Sequence, residues 1–163
     1  MSSVNVKVDG DVQRLMKRLG RIASVDKAGI NNAIAEGLRT STIERFQTEK
    51  SPEGKKWKQS VRARNEGGKT LTKSSTLRTS IRSEASADGL AVGTNDIRAA
   101  THQFGDTRII KAKRKKVLRF QINGRWVSKK EVKVTIPARP FLGVSEEDEE
   151  EIKKLLGKAL EEA

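Results

Sequence analysis

The sequence predicts an α+β fold: N-terminal long helices packed on a central antiparallel β-sheet, with a basic hairpin arm and a C-terminal amphipathic helix. Three observations predict it. Apolar residues recur at helical spacing through the first fifty residues and again in the last twenty. Two tight-turn pairs, Asp88 with Gly89 and Asn123 with Gly124, sit between runs of strand-forming residues in the middle of the chain. Capping residues stand where the helical runs begin. A length of 163 residues fits one domain, read here as 1–163 with a mobile loop at 58–75 and a basic hairpin arm at 107–133.

The elements follow in order. Val4, Val6 and Val8 alternate onto one face and predict a short strand ending at Asp9 and Gly10. Asp11 is a good N-cap, and Val12, Leu15, Met16, Leu19 and Ile22 then recur at helical spacing. Asp26 caps a second helical stretch with Ile30, Ile34, Leu38 and Phe46 on one face. A bend is placed at 24–26. The run Ser51-Pro52-Glu53-Gly54 breaks the helix, because proline sets up a turn and Gly54 permits positive φ, so Trp57 folds back onto the core. The polar stretch 58–75, with Gly67 and Gly68, reads as the mobile loop.

A short helix at 75–81 turns Leu77 and Ile81 inward, and strands at 81–84 and 90–94 form a hairpin. Residues 97–104 form another short helix, stopped by Gly105. Strands at 117–122 and 125–130 flank Asn123 and Gly124, with Leu118, Phe120 and Ile122 on one face. Val132, Val134 and Ile136 alternate into a last strand, ended by Pro137. Pro137 and Pro140 bracket a rigid extended link that delivers Phe141 and Leu142 to the core. Arg139, between them, is expected to reach an acid within the fold or across an interface, an internal ion pair being favoured; Trp57 and Phe104 are expected as core anchors. Ser145 caps the final helix, Asp148 stands at the capping-box position, and Ile152, Leu155, Leu156, Ala159 and Leu160 make its buried stripe.

Charge narrows the function. Lys and Arg number 34 against 21 Asp and Glu, a net +13 that favours nucleic acid, an anionic membrane or an acidic protein surface as partner. The excess is concentrated: residues 107–133 hold eleven Lys/Arg and one acid, Glu131, whereas residues 144–163 hold eight acids and three lysines. Like subunits can use that polarity head to tail. A hydrophobic fraction of 34% builds only a modest core, so part of the stability is expected from oligomerisation or a partner. The absence of cysteine excludes disulfides and thiolate metal sites. The first residues lack the basic start and apolar core of a signal peptide, and no apolar run approaches the roughly 18 residues of a membrane span. The expectation is a protein kept in the cytoplasm until it assembles.

Enzyme chemistry finds little support. His102 is the single histidine, which rules out a His-rich metal site, and its setting in a short helix favours a structural or capping role. The acids after Ser145 suit the dipole of a helix N-terminus. Gly67 and Gly68 lack the strand and helix that frame a phosphate loop. No catalytic, cofactor or metal residues are expected. The candidate partner-binding residues are Lys113, Arg114, Lys115, Lys116, Arg119, Arg125, Lys129 and Lys130, on or beside the second hairpin with Phe120 and Trp126 interleaved. A basic ribbon of this kind suits a phosphate backbone, but Phe120 lies on the apolar face, which favours an acidic protein surface as the partner.

Read together, several segments resemble the phage virion morphogenesis, or tail completion, family of tailed phages. They are Phe46 with Ser51-Pro52-Glu53-Gly54-Lys55-Lys56-Trp57; Leu71; Thr76-Leu77-Arg78-Thr79-Ser80-Ile81; Val92-Gly93-Thr94; Ala99-Ala100-Thr101-His102-Gln103-Phe104-Gly105; and Ile136-Pro137-Ala138-Arg139-Pro140-Phe141-Leu142-Gly143-Val144-Ser145. The resemblance runs from about Ile30 to the C-terminus; the order of the last two motifs before a capped helix is its most specific part. It departs from the family around 76–80, where a glycine after a threonine is absent. The resemblance implies a non-enzymatic structural virion protein, located in tail or neck, that completes the tail or the head–tail junction through contacts with other virion proteins (tail or neck/head connector). It implies a homo-oligomeric ring, and with no apolar run of spanning length no membrane partner is expected. The alternative is a basic accessory protein that binds nucleic acid non-specifically.

Overall fold

A computed structural model of the chain describes residues 12, 14, 16, 17, 20, 25–113, 116–122 and 124–161. The strand expected at 3–8 lies outside the described residues, as do Leu15, Leu19 and Ile22 of the first expected helix. Val12, Arg14, Met16, Lys17 and Gly20 are helical, but Val12 and Met16, expected to face inward, are exposed.

The long helix α1 spans Lys27–Thr48, and the chain is non-helical at residues 25 and 26 before it. Asp26 caps it as the sequence predicts, its Oδ1 accepting from the Gly29 N–H at 3.0 Å. Ile34, Ala35, Thr42, Arg45 and Phe46 are buried along one side. The helix ends at Glu49 in the left-handed conformation, φ 55°. The Ser51-Pro52-Glu53-Gly54 turn then reverses the chain: Gly54 donates to the Ser51 carbonyl at 2.9 Å and Ser51 to that of Lys55 at 2.8 Å. Trp57 returns to meet Phe46 edge-to-face, ring centroids 5.5 Å apart.

The segment 58–75, expected to lack regular structure, carries helix α2 at Val61–Glu66. Ser60 starts it by accepting from the Ala63 N–H at 3.1 Å, a cap signal hidden among polar residues. Thr70 is fully buried, its N–H donating to Glu49 Oε1 at 2.6 Å. Helix α3 follows at Thr76–Thr79, then β1 at Ile81–Ser86 and β2 at Gly89–Thr94. Their turn is Ala87 with Asp88, one residue earlier than expected, because Ser86 pairs with Gly89. This hairpin packs on α1. The core proper is Phe46, Trp57, Leu77, Ile81 and Phe141, with Ile43, Leu71, Val92, Ala99 and Leu142 at its edge.

Helix α4 spans Ala99–Phe104, and then come β3 at Asp106–Lys111, β4 at Leu118–Ile122, β5 at Arg125–Lys129 and β6 at Glu131–Ile136. The expected central sheet is corrected here: the strands form three separate two-stranded antiparallel ladders, β1–β2, β3–β6 and β4–β5. Strand β6 pairs with β3, Asp106 opposite Ile136 through Lys111 opposite Glu131, and the β4–β5 hairpin sits at the far end of that stem. Sequence reading missed β3 because Ile109 and Ile110 are adjacent and break the period-two alternation. Helix α5 closes the chain at Glu146–Glu161 and packs on α1. Ile152, Leu155 and Ala159 are half-buried, but Leu156 and Leu160 of the expected stripe are exposed.

Candidate functional site

Two features stand out: a hydrogen-bonded clasp around residues 137–145, and the arm formed by β3 to β6. The clasp is where the most distinctive sequence segments meet. Gln103, on α4, lies beside the link; its Oε1 accepts from the N–H groups of Phe141 and Leu142, both at 3.0 Å, and its Nε2 donates to the Leu142 carbonyl at 2.9 Å. The Arg139 N–H donates to the His102 carbonyl at 2.7 Å, and Trp57 Nε1 to the Pro140 carbonyl at 2.9 Å. One side-chain amide thus satisfies three backbone groups that two prolines keep out of any ladder.

Arg45, which sequence reading passed over, holds the other side. Its Nη1 donates to the carbonyls of Phe141 at 3.0 Å and Gly143 at 2.8 Å, and its Nη2 meets Asp148 Oδ2 at 2.5 Å. Both side chains are buried. Asp148 closes the capping box: Ser145 N–H donates to its carboxylate at 2.8 Å, and its own N–H donates to Ser145 Oγ at 3.2 Å. Burial pushes the Asp148 carboxyl up, yet hydrogen bonds from Ser145 and Ser41 and the charge of Arg45 outweigh it, leaving the group below its ordinary value. Among the described residues, the ion pair buried on both sides is that of Arg45 with Asp148. The one expected for Arg139 is corrected: its guanidinium is buried, with Nε donating to the Lys58 carbonyl at 2.7 Å, and burial lowers its pKa.

Gly105 is required where it stands. At φ +77° a side chain is strained, and a Cβ would come within 2.9 Å of Ala138 N and 3.0 Å of the Ile136 carbonyl. Phe104, just before it, is not the expected core anchor; it is 80% exposed because the inward positions of α4 are taken by Ala99 and Gln103. His102 is half-buried with Nδ1 unpartnered; burial first, then the charges of Arg139 and Arg98, push its pKa down against the opposing pull of Asp96. Asp96 is itself held at about 2 by hydrogen bonds from the Arg98 side chain and N–H. No residues among those described group three or more His, Asp or Glu as a metal would need.

The arm is different in kind: no described residue between 106 and 136 is buried. On one face of its β4–β5 hairpin lie Leu118, Phe120, Ile122 and Val127, with Arg125 opposite Ile122 and Lys129 opposite Leu118. On the other face Arg119 stands over the Trp126 ring at 4.8 Å, and Trp126 is 61% exposed. Phe120 is half-buried within the hairpin and outside the core. Lys113, Lys116 and Lys130 are exposed at the junction of stem and hairpin, where Ala112 N–H donates to the Lys130 carbonyl at 3.1 Å. Arg114 and Lys115 lie outside the described residues. The hairpin thus brings Arg125 and Lys129 together around an apolar strip and turns Arg119 to the opposite side.

The segments that meet in the clasp are spread through the whole chain, and the sequence comparison covers the same span. The phage virion morphogenesis family matches residues 7–161. The chain belongs to that family. It is also similar to the Mu-like prophage FluMu G protein 2 of Haemophilus influenzae, 31% identical over 152 residues that cover 93% of this chain and 91% of that protein. No solved structure matches the chain. The family is one of virion assembly proteins, which gives this chain a structural, virion-associated role among other phage proteins. None of the described helices is long and apolar enough to cross a membrane.

Proposed function

We propose that the chain completes the tail, or the junction of tail and head, through protein–protein contacts made by the arm, and that it works in tail or neck as a homo-oligomer after assembly in the host cytoplasm. One observation carries this reading: the arm spanning β3 to β6 exposes Ile109, Ile110, Ile122 and Trp126 in a stretch whose sequence holds eleven cations, and none of its described residues is buried. A two-stranded ribbon without a covering layer is marginal in water, so its ordered form is one that a partner completes. The clasp anchors the arm's two ends, Gly105 against 136–138 and Arg139 against His102. Docking force on the arm is therefore carried into the core.

The test is electron microscopy of lysates from the parent phage or prophage with this frame stopped early. Full heads beside unattached tails of normal length are the expected outcome for completion or joining. Overlong or missing tails move the role to tail building. Normal infectious particles overturn the proposal and leave the second reading, non-specific nucleic-acid binding, favoured by Arg119, Trp126 and the flanking cations. That reading requires binding to fall steeply with salt, whereas an apolar-centred protein contact survives it.

A further inference from the structure

We propose that the arm of one copy seats its basic, apolar-centred hairpin face in the groove between α1 and α5 of a second copy; the proposal rests on the assembly reading above. The arm supplies the first half of the reasoning. Leu118, Phe120, Ile122 and Val127 form a strip with Arg125 and Lys129 at its rim; Ile122 is exposed, the other three are half-buried, and all four lie outside the core cluster. That is the anatomy of an interface: an apolar centre inside a charged border. Two such arms repel each other, so the receiving surface is acidic.

The same chain carries one. An open groove of about 720 Å³ runs between α1 and the start of α5, and the turn at 51–54 closes one side. Its walls hold five carboxylates, Glu36, Glu44, Glu147, Asp148 and Glu151, against two cations, Arg45 and Lys50. Arg45 is already spent on Asp148, and Glu36 is paired with Arg39, so the open part of the groove keeps Glu44, Glu147 and Glu151 against Lys50, a smaller negative excess. No described arm residue lines it. Arm and groove are different patches, so the contact is head to tail, closing into a ring or continuing as a stack.

The chain has no cysteine, so designed cross-links report on designed contacts. Full-length Arg125→Cys and Glu147→Cys variants are co-expressed in place of the natural protein during particle assembly, and the particles are oxidised and run on a non-reducing gel. A mixed dimer that neither variant gives alone is the expected result, with a ladder when both cysteines share one chain. Particles that assemble without a mixed dimer overturn the proposal, and so does a compact cross-linked monomer from the double variant. If cysteine at either position prevents assembly, charge exchange decides. Arg125→Glu with Lys129→Glu, or Glu44→Lys with Glu147→Lys, is expected to weaken self-association about 30-fold, and the chain carrying all four substitutions to recover it. Failure to recover overturns the contact. Cross-linking of Arg125→Cys to a different virion protein overturns only this contact and leaves the assembly role standing, whereas normal particles from the stopped frame remove both.

Discussion

At the scale of single residues, the clasp concentrates more consequence in Arg45, Gln103 and Gly105 than in any lysine of the arm. Replacing Asp148 with Ala leaves the Arg45 guanidinium buried beside two carbonyls without its carboxylate, at a cost of about 3–5 kcal/mol in urea denaturation. The pair Arg45→Met with Asp148→Leu is expected to cost less than the single change. Gly105→Ala meets both positive φ and the 2.9 Å approach to Ala138 N, so a loss of about 2 kcal/mol or more is expected by the same measurement. His102 gives a pH dependence of defined sign. Its folded pKa lies below the ordinary 6.5, so between the two values the unfolded chain binds more protons and stability rises with pH. Thermal melts of His102→Gln are expected to lose that slope as the pH falls below about 6.5, while the contribution of Asp148 fades only in more acid solution. Sequence reading found Asp148 through its capping box, yet passed over Arg45. A cation on a helix reads as solvated until the fold delivers two carbonyls and a carboxylate from a hundred residues away.

At the scale of elements, what was legible followed local rules. Asp26, the 51–54 turn, the Asn123 and Gly124 hairpin and the Ser145 cap are all decided within a few residues, and each element stands where such signals put it. What failed was pairing at a distance. Strand β3 joins β6 across an inserted hairpin, and its adjacent Ile109 and Ile110 offer no single apolar face. Phe104 was misplaced for a related reason: an aromatic beside a helix stop reads as core, whereas the inward seat belongs to Gln103, whose amide has backbone to satisfy. The arm's independence makes a prediction. Replacing residues 107–135 by a short glycine-containing turn is expected to leave the melting temperature within about 4 °C of the full chain, the shift that roughly 1 kcal/mol produces at this size. Amide exchange in β4 and β5 is expected to be fast and to slow on assembly.

For the whole molecule, charge is the organising quantity, and it was visible in the sequence from the start. Composition placed a basic stretch and an acidic tail in one chain; the structure raises the first on a ribbon and sets the second against α1. Whether an apolar strip accompanies the charge was only half legible, since Leu118, Phe120 and Ile122 announce a shared face but not whether anything covers it. Dissociation of the assembled protein by salt provides a check. Oligomers held by the arm are expected to survive from low to moderate salt, while any retained nucleic acid is lost steeply.

The clasp also dictates when the protein becomes itself. Arg45 and Phe46 meet Phe141, and Trp57 meets Pro140, so the core joins the first third of the chain to its last few dozen residues. A ribosome making this protein therefore releases Phe46 and Trp57 long before their cover exists. Contacts of such sequence separation close slowly, and the unfinished chain shows its aromatic faces meanwhile. Synthesis halted anywhere short of Phe141 yields a product for proteolysis rather than a smaller working protein, so the subunit enters the pool for assembly only once it has been finished.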